Sequence, residues 1–431
     1  MDYVSIKRIT CAALCALSFG MPTLSGAEED PTASELGIMK GFVKPEGMQV
    51  NAANWNVYPL NRWSFQNVRR ILPTAPLKTD PERTVPFVEN RQNLTDISVE
   101  LPDGTTKTST EIFESWQTDS IVVLHNGELI YERYWNGMTP QSPHYLASVS
   151  KSFIGTVAAM LVDRGVLDRD ATVETYVPEL AGSGFADATV GQILDMTAGT
   201  DWDESPAAFA DASSPARQYF AAAGALVMPG EESLGVANFL PSVSQARPHG
   251  DVFVYNSPQT DVAGWIVANA SGRSVLDNVQ EMIWSKLGPE CEAYYLLDGA
   301  GNPFATGGMN ICARDMARFG QMMLNEGHFG GQRIVPDNVV KQITKLGSRE
   351  AFAAGPRAST YPDGAYRDFW WITNDEDGAY LAKGVFGQLI YINPSRQVVI
   401  ARHASEEEAS NSQRTIEVET TFAAISRFLD K

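Results

Sequence analysis

Between Ser148 and Gly165 the apolar residues Phe153, Ile154, Val157, Ala158, Met160 and Leu161 recur at helical spacing. The period predicts a helix that opens at Ser148 and ends near Gly165. The preceding run DSIVVLHNGELIYERYWNG, residues 119–137, has two apolar-rich stretches flanking His125-Asn126-Gly127-Glu128. An Asn-Gly pair between such stretches predicts a hairpin, the start of an antiparallel sheet. From residue 168 to about 246 short helical pieces alternate with loops, which predicts a mainly helical lobe inserted between sheet elements. Further helices are predicted at 258–270, 276–287 and 313–326. Strand-like sequence returns at RDFWWITN, AYLAKGVFGQLIYINP and QVVIARHA, with a hairpin between the last two around Asn393-Pro394-Ser395. A closing helix from Ser412 to Leu429 follows. Sheet elements from the two ends of the sequence must then pair across the insertion, which gives an α+β fold with helices packed on an antiparallel sheet. Residues 28–110, rich in Pro, Asn, Arg and Thr with little periodicity, are expected to form an extended segment around the 111–431 body.

Composition narrows the setting. The chain is 44% hydrophobic and 20% charged, an ordinary globular make-up, and its 431 residues suffice for one large core with a second lobe attached. No internal run reaches the roughly 18 apolar residues that a membrane span needs. Lys7 and Arg8, an apolar stretch from Ile9 to Met21, and the small residues Ser25 and Ala27 precede an acidic segment. That layout predicts a secretory signal peptide over residues 1–27 and a secreted or periplasmic mature protein. Cys11 and Cys15 belong to that segment, which leaves Cys291 and Cys312 as either a disulfide or two buried thiols. A net charge of −19 disfavours nucleic acid and anionic membrane surfaces as partners. His125, His144, His249, His328 and His403 have no metal-ligand spacing, and there is no glycine-rich phosphate loop. Neither a metal nor a cofactor is expected.

Three motifs carry candidate chemistry. Ser148-Val149-Ser150-Lys151 puts serine and lysine on one helical face, where a desolvated lysine can take the serine proton and make a nucleophile of it. A capping serine followed by a solvent-facing lysine has the same spacing. Tyr255-Asn256-Ser257 precedes a predicted helix, and the Tyr255 hydroxyl is a candidate proton relay if a cation such as Lys151 lies beside it. Gly384 lets a strand approach a ligand closely, so the N–H groups of Val385 and Ser148 are candidates to hold an oxyanion. A strand bulge would also account for Gly384 and Gly387. Trp202, Trp370 and Trp371 are candidates to line an apolar substrate cleft.

The ordered set Ser148-x-x-Lys151, Tyr255-x-Ser257 and the glycine-containing strand at 382–388 resembles the serine β-lactamase and penicillin-binding-protein superfamily. NRWSFQNVRRILPTAP, YERYWNGMTPQSPHYLASVSKSF, VGQILDMTAGTDWDE, VYNSPQTDVAGW and GGMNICARDMARFGQMML look closest to the 6-aminohexanoate-dimer hydrolases and class C-like esterases. The resemblance runs from about Trp55 to the end and implies a β-lactamase/transpeptidase-like fold with the active site between sheet and helical lobe. It also implies Ser148 as nucleophile, Lys151 as base, Tyr255 as relay, Ser257 bonding lysine or substrate, and an oxyanion hole at Ser148 and Val385. The implied partner is a small ester or amide. A silent member of the same fold that binds cell-wall peptide or a partner protein is the rival reading. Two departures stand out. Ala382-Lys383-Gly384 replaces Lys-Thr/Ser-Gly, and no Glu-x-x-Leu-Asn segment is present, so efficient antibiotic hydrolysis is not expected. The nylon-oligomer enzymes further use a tyrosine in the loop after DMTAGTDWDE, for which Phe209 or Tyr219 are the nearest aromatic residues here.

Overall fold

The computed structural model describes residues 30–227 and 231–430. The signal peptide expected over residues 1–27 lies outside the described residues. Seven antiparallel strands form the main sheet, in the order Ala365–Arg367, Trp370–Ile372, Tyr380–Gly384, Gln388–Asn393, Val398–Ala404, Thr118–His125 and Glu128–Tyr134. The predicted hairpin is present, with Asn126 and Gly127 at positive φ in its turn. The last long strand closes the sheet across the insertion, pairing Ile400 with Val123 and Val398 with His125.

Both faces of this sheet are covered, so its inner strands are buried along their whole length rather than alternately. The Ala313–Leu324 helix packs on one face against Gln388–Asn393 and Val398–Ala404. The Ser412–Leu429 helix lies on the other, where Phe422 meets Tyr391 at 5.7 Å between ring centres. The Val149–Asp163 helix is enclosed on all sides, every residue from Val149 to Leu161 being buried, and Phe153 stacks on Phe319 at 3.7 Å. Its apolar positions therefore serve a core that surrounds it, beyond the single broad face expected.

The region between the sheet halves holds short helices, among them Val190–Leu194, Pro206–Ala210 and Pro215–Ala222, and then the long Pro258–Ser271 helix. A second, four-stranded sheet joins Thr74–Leu77, Ala293–Leu296, Met309–Ile311 and His144–Tyr145. The N-terminal region thus contributes a paired strand of its own as well as irregular chain. Cys291 and Cys312 are joined in a disulfide, with 6.2 Å between their Cα atoms.

One expectation is corrected. AYLAKGVFGQLIYINP reads as a single strand-like run, but it folds back on itself as two paired strands, with Gly384 opposite Gln388. The turn is made by Phe386 and Gly387, at φ +59° and +87°. A side chain at Gly387 would collide with the buried Glu406 and Arg402, and Arg402 Nη1 donates to the Gly387 carbonyl at 3.0 Å. Arg402 in turn is held by Glu406 at 2.7 Å, so a buried ion pair fixes the turn that ends the Tyr380–Gly384 strand.

Candidate active site

The Val149–Asp163 helix begins where the short His144–Tyr145 strand ends. Tyr145 pairs with Asn310, and Leu146 N–H donates to the Met309 carbonyl at 3.0 Å, which anchors the chain just before the helix. Ala147 then adopts φ +46°, a costly conformation for a residue with a side chain, and Ser150 Oγ holds the Ala147 carbonyl at 2.7 Å. This tight entry sets Ser148 at the helix cap.

Ser148 is not a capping serine. Its side chain accepts no bond from the helix N–H groups, and Lys151 Nζ donates to its Oγ at 2.9 Å. Lys151 is 0% exposed, and its other hydrogen-bond partner is the Thr306 carbonyl at 2.9 Å. Among the described residues no carboxylate forms an ion pair with it. Burial pulls the Lys151 ammonium down to about 8, with the Glu204 carboxylate acting in the opposite sense. A lysine so placed is available as a neutral amine near pH 8.

Tyr255 joins the pair. Its ring centre is 5.3 Å from Lys151 Nζ, and the ring stacks on Trp371 at 5.6 Å. Burial pushes the Tyr255 hydroxyl well above its usual range, and hydrogen bonding to Ser148 offsets only part of this. The nearby lysine therefore does not make Tyr255 a phenolate. Burial disfavours the anion, and the residue passes a proton as a neutral hydroxyl.

Gly384 reaches the same place from the sheet. A Cβ there would lie 2.5 Å from the Leu146 carbonyl and 3.0 Å from Ser148 N, so only glycine lets the strand end approach the helix start. Val385 follows directly and is 40% exposed.

Other candidates are placed differently. The Ser257 hydroxyl, expected to meet lysine or substrate, instead donates to Glu204 Oε2 at 3.1 Å, while Ser257 N–H donates to Glu204 Oε1 at 2.7 Å. Trp202 Nε1 binds the same carboxylate at 2.6 Å, so Trp202 braces Glu204 beside the site. Trp370 is a core residue and not a cleft wall. It is fully buried between Phe319 and Tyr380, with its Nε1 on Thr156 Oγ1 at 3.2 Å. Trp371, on the opposite face of the strand, is the tryptophan that reaches Tyr255. Lys383 points away from Ser148, donating to Glu419 at 2.6 Å and to the Tyr361 hydroxyl at 2.7 Å. Phe209 packs on Phe220 at 5.3 Å, and the Tyr219 hydroxyl is buried against Asp261 and Thr306.

Glu204, Thr306 and Asp261 carry no sequence signal that singles them out. Glu204 and Asp261 stand inside runs noted for other residues and Thr306 in an irregular stretch; Thr306 meets Lys151 and Ser257, Glu204 meets Ser257, and Asp261 meets Tyr219, all only through the fold. Among the described residues the one close group of metal-ligand type is Cys291, Cys312 and Asp315, and its two sulfurs are bonded to each other.

A covered antiparallel sheet, a helical insertion, and a serine and buried lysine at the start of a central helix together define a serine hydrolase. The chain belongs to the Beta-lactamase family, whose sequence model matches residues 115–419. It is similar to 6-aminohexanoate-dimer hydrolase of Paenarthrobacter ureafaciens, with 34% identity over 353 residues, 82% of this chain and 87% of that protein. The solved structure of a Bacillus anthracis protein assigned as a 6-aminohexanoate-dimer hydrolase superposes with a TM-score of 0.81 at 31% identity, covering 90% of this chain and 98% of the other. A family VIII carboxylesterase shares the fold at a TM-score of 0.52 and 15% identity, over 71% of this chain and 92% of its own.

Proposed function

We propose that the protein is an exported serine hydrolase that opens carboxylic esters, and more slowly linear amides, through an acyl-enzyme on Ser148. The observation that carries this reading is the 2.9 Å contact between Ser148 Oγ and a fully buried Lys151 whose partners are neutral oxygens. Neutral Lys151 takes the Ser148 proton as Oγ attacks the carbonyl carbon. The carbonyl oxygen gains the negative charge and rests on the N–H groups of Ser148 and Val385, where the helix start adds its positive end. Tyr255 gives its proton to the departing oxygen or nitrogen and is reprotonated by Lys151. Water then attacks the acyl carbon by the reverse route and frees Ser148.

The loop after Glu204 favours ester cleavage. An amide nitrogen is a poor leaving group until protonated, and neither Phe209 nor the already bonded Tyr219 hydroxyl can assist it. The similarity to 6-aminohexanoate-dimer hydrolase makes that linear amide the first amide to try. Export is supported by the signal-like residues 1–27 and by the Cys291–Cys312 disulfide, which an oxidising compartment sustains.

The test is turnover of p-nitrophenyl butyrate, 6-aminohexanoate dimer and a penicillin by the mature protein and by Ser148→Ala. Turnover of the ester, weak or no turnover of the other two, and loss of all activity in the variant support the reading. A folded protein that turns over none of them, or a fully active Ser148→Ala, refutes it.

A further inference from the structure

Behind Lys151 lies a buried chain of oxygens that the proposed mechanism does not use. Thr306, whose carbonyl holds Lys151, also places its Oγ1 2.6 Å from the Ser257 carbonyl and 2.8 Å from the Tyr219 hydroxyl. The Tyr219 hydroxyl makes a further short contact with Asp261 Oδ2, and Asp261 Oδ1 accepts from Ala305 N–H at 2.9 Å. Tyr219, Asp261 and Thr306 are all buried, at 0%, 4% and 2% exposure, so their partners are these protein groups rather than bulk solvent.

We infer that Asp261 is a neutral carboxylic acid that donates its proton to Tyr219, and that this positioning residue keeps a negative charge away from Lys151. The argument is a count of protons. The Ser257 carbonyl can only accept, so the single Thr306 hydroxyl proton lies in that gap. Thr306 Oγ1 then has no proton to offer Tyr219, and the single Tyr219 proton must lie between those two oxygens. The gap between Tyr219 and Asp261 is thereby left empty unless Asp261 supplies a proton. With Asp261 protonated at Oδ2, each of the three gaps holds one proton, and Oδ1 remains as the acceptor that the Ala305 N–H requires. With Asp261 ionised, one buried oxygen pair faces lone pair to lone pair, an arrangement that low dielectric makes costly.

The buried surroundings raise the carboxyl in the same direction, and the hydroxyl chain carries it the rest of the way. Asp261 is faced by Tyr219, by the Ala305–Thr306 segment and by Lys151. Burial pushes its carboxyl up to about 6, with the Lys151 charge among the opposing influences. Burial above all holds Tyr219 protonated, so its hydroxyl has one proton to place. An Asp261 that is already neutral leaves no carboxylate charge of its own to hold Lys151 as the ammonium ion, so the amine is freed at lower pH than it would be beside an ionised Asp261. The consequence for catalysis rests on the reading of Lys151 as the base; the protonation state itself does not.

The direct test is infrared difference spectroscopy of the full mature chain at pH 7, wild type against Asp261→Asn. A carboxylic-acid carbonyl stretch present in the wild type, shifted in heavy water and missing in the variant, is expected. Carboxylate bands in its place would overturn the inference whether or not the enzyme turns anything over. The pH profile of ester hydrolysis gives a second readout. The carboxamide introduced by Asp261→Asn would donate to Tyr219 and accept from Ala305 as the acid does. That variant should therefore leave the acid limb within about 0.3 pH unit of wild type, whereas loss of an ionised carboxylate would move it down by about one pH unit. Asp261→Ala has no donor and should lower kcat by about ten-fold or more, with Asp261→Asn restoring most of it. Equal losses in both variants would contradict the proposal.

Discussion

Two lysines lie over the two rings of one stacked pair, and they have opposite characters. Lys151 Nζ is 5.3 Å from the centre of Tyr255, and Lys383 Nζ is 5.5 Å from the centre of Trp371. Lys151 is fully buried and bonded to a hydroxyl and a carbonyl. Lys383, whose side chain is 21% exposed, pairs with Glu419 and the Tyr361 hydroxyl. A lysine that meets a carboxylate directly forms an ion pair, and here that pair ties the strand to the C-terminal helix. A lysine that meets only neutral oxygens while buried is cheap to deprotonate, and the same side chain then acts as a base. The position of the carboxylate, more than the presence of a lysine in a motif, decides which of the two does chemistry.

Substitutions separate the two lysines. Ser148→Ala removes the hydroxyl whose proton Lys151 takes and should lower kcat for ester hydrolysis by roughly 10^4 or more with the melting temperature nearly unchanged. Lys151→Met keeps the length of the side chain without its base, and a loss of about 10^3 in kcat is expected. In the wild type, activity should rise with pH through about 8, because only the neutral amine accepts a proton; that limb should vanish in Lys151→Met. Glu204→Gln takes a negative charge from beside Lys151. The ammonium form loses support, so the acid limb should move down by about one pH unit, read from kcat against pH. Lys383→Met should leave kcat within about three-fold and lower stability by about 1 kcal/mol in denaturant unfolding, the modest value of a partly exposed pair. A loss in Lys383→Met as large as in Lys151→Met would erase the contrast between the two lysines.

Ser148, Lys151 and Tyr255 were legible in the sequence because each stands at a helix start with a periodic apolar run behind it. The Asn126-Gly127 hairpin and the Ser412–Leu429 helix were legible for similarly local reasons. What escaped depends on distant partners. The turn at Phe386 and Gly387 is held by Arg402 and Glu406, which arrive from another strand end. Thr306 reaches Lys151 across 155 positions of sequence, and Glu204 reaches Ser257 across 53. Trp370 and Trp371 show a different limit. Adjacent strand residues face opposite sides, so one of the two had to leave the cleft, but nothing in the run RDFWWITN says which side is the cleft.

Activation of Ser148 by a neutral Lys151 is open to a direct kinetic check, the rate of labelling by a fluorophosphonate probe followed by intact-protein mass across pH. A single adduct on Ser148 is expected, formed at a rate that rises with pH around a midpoint near 8, and none on Ser148→Ala. A folded wild-type protein that takes no label, or a Ser148→Ala variant labelled at the wild-type rate, would contradict that activation.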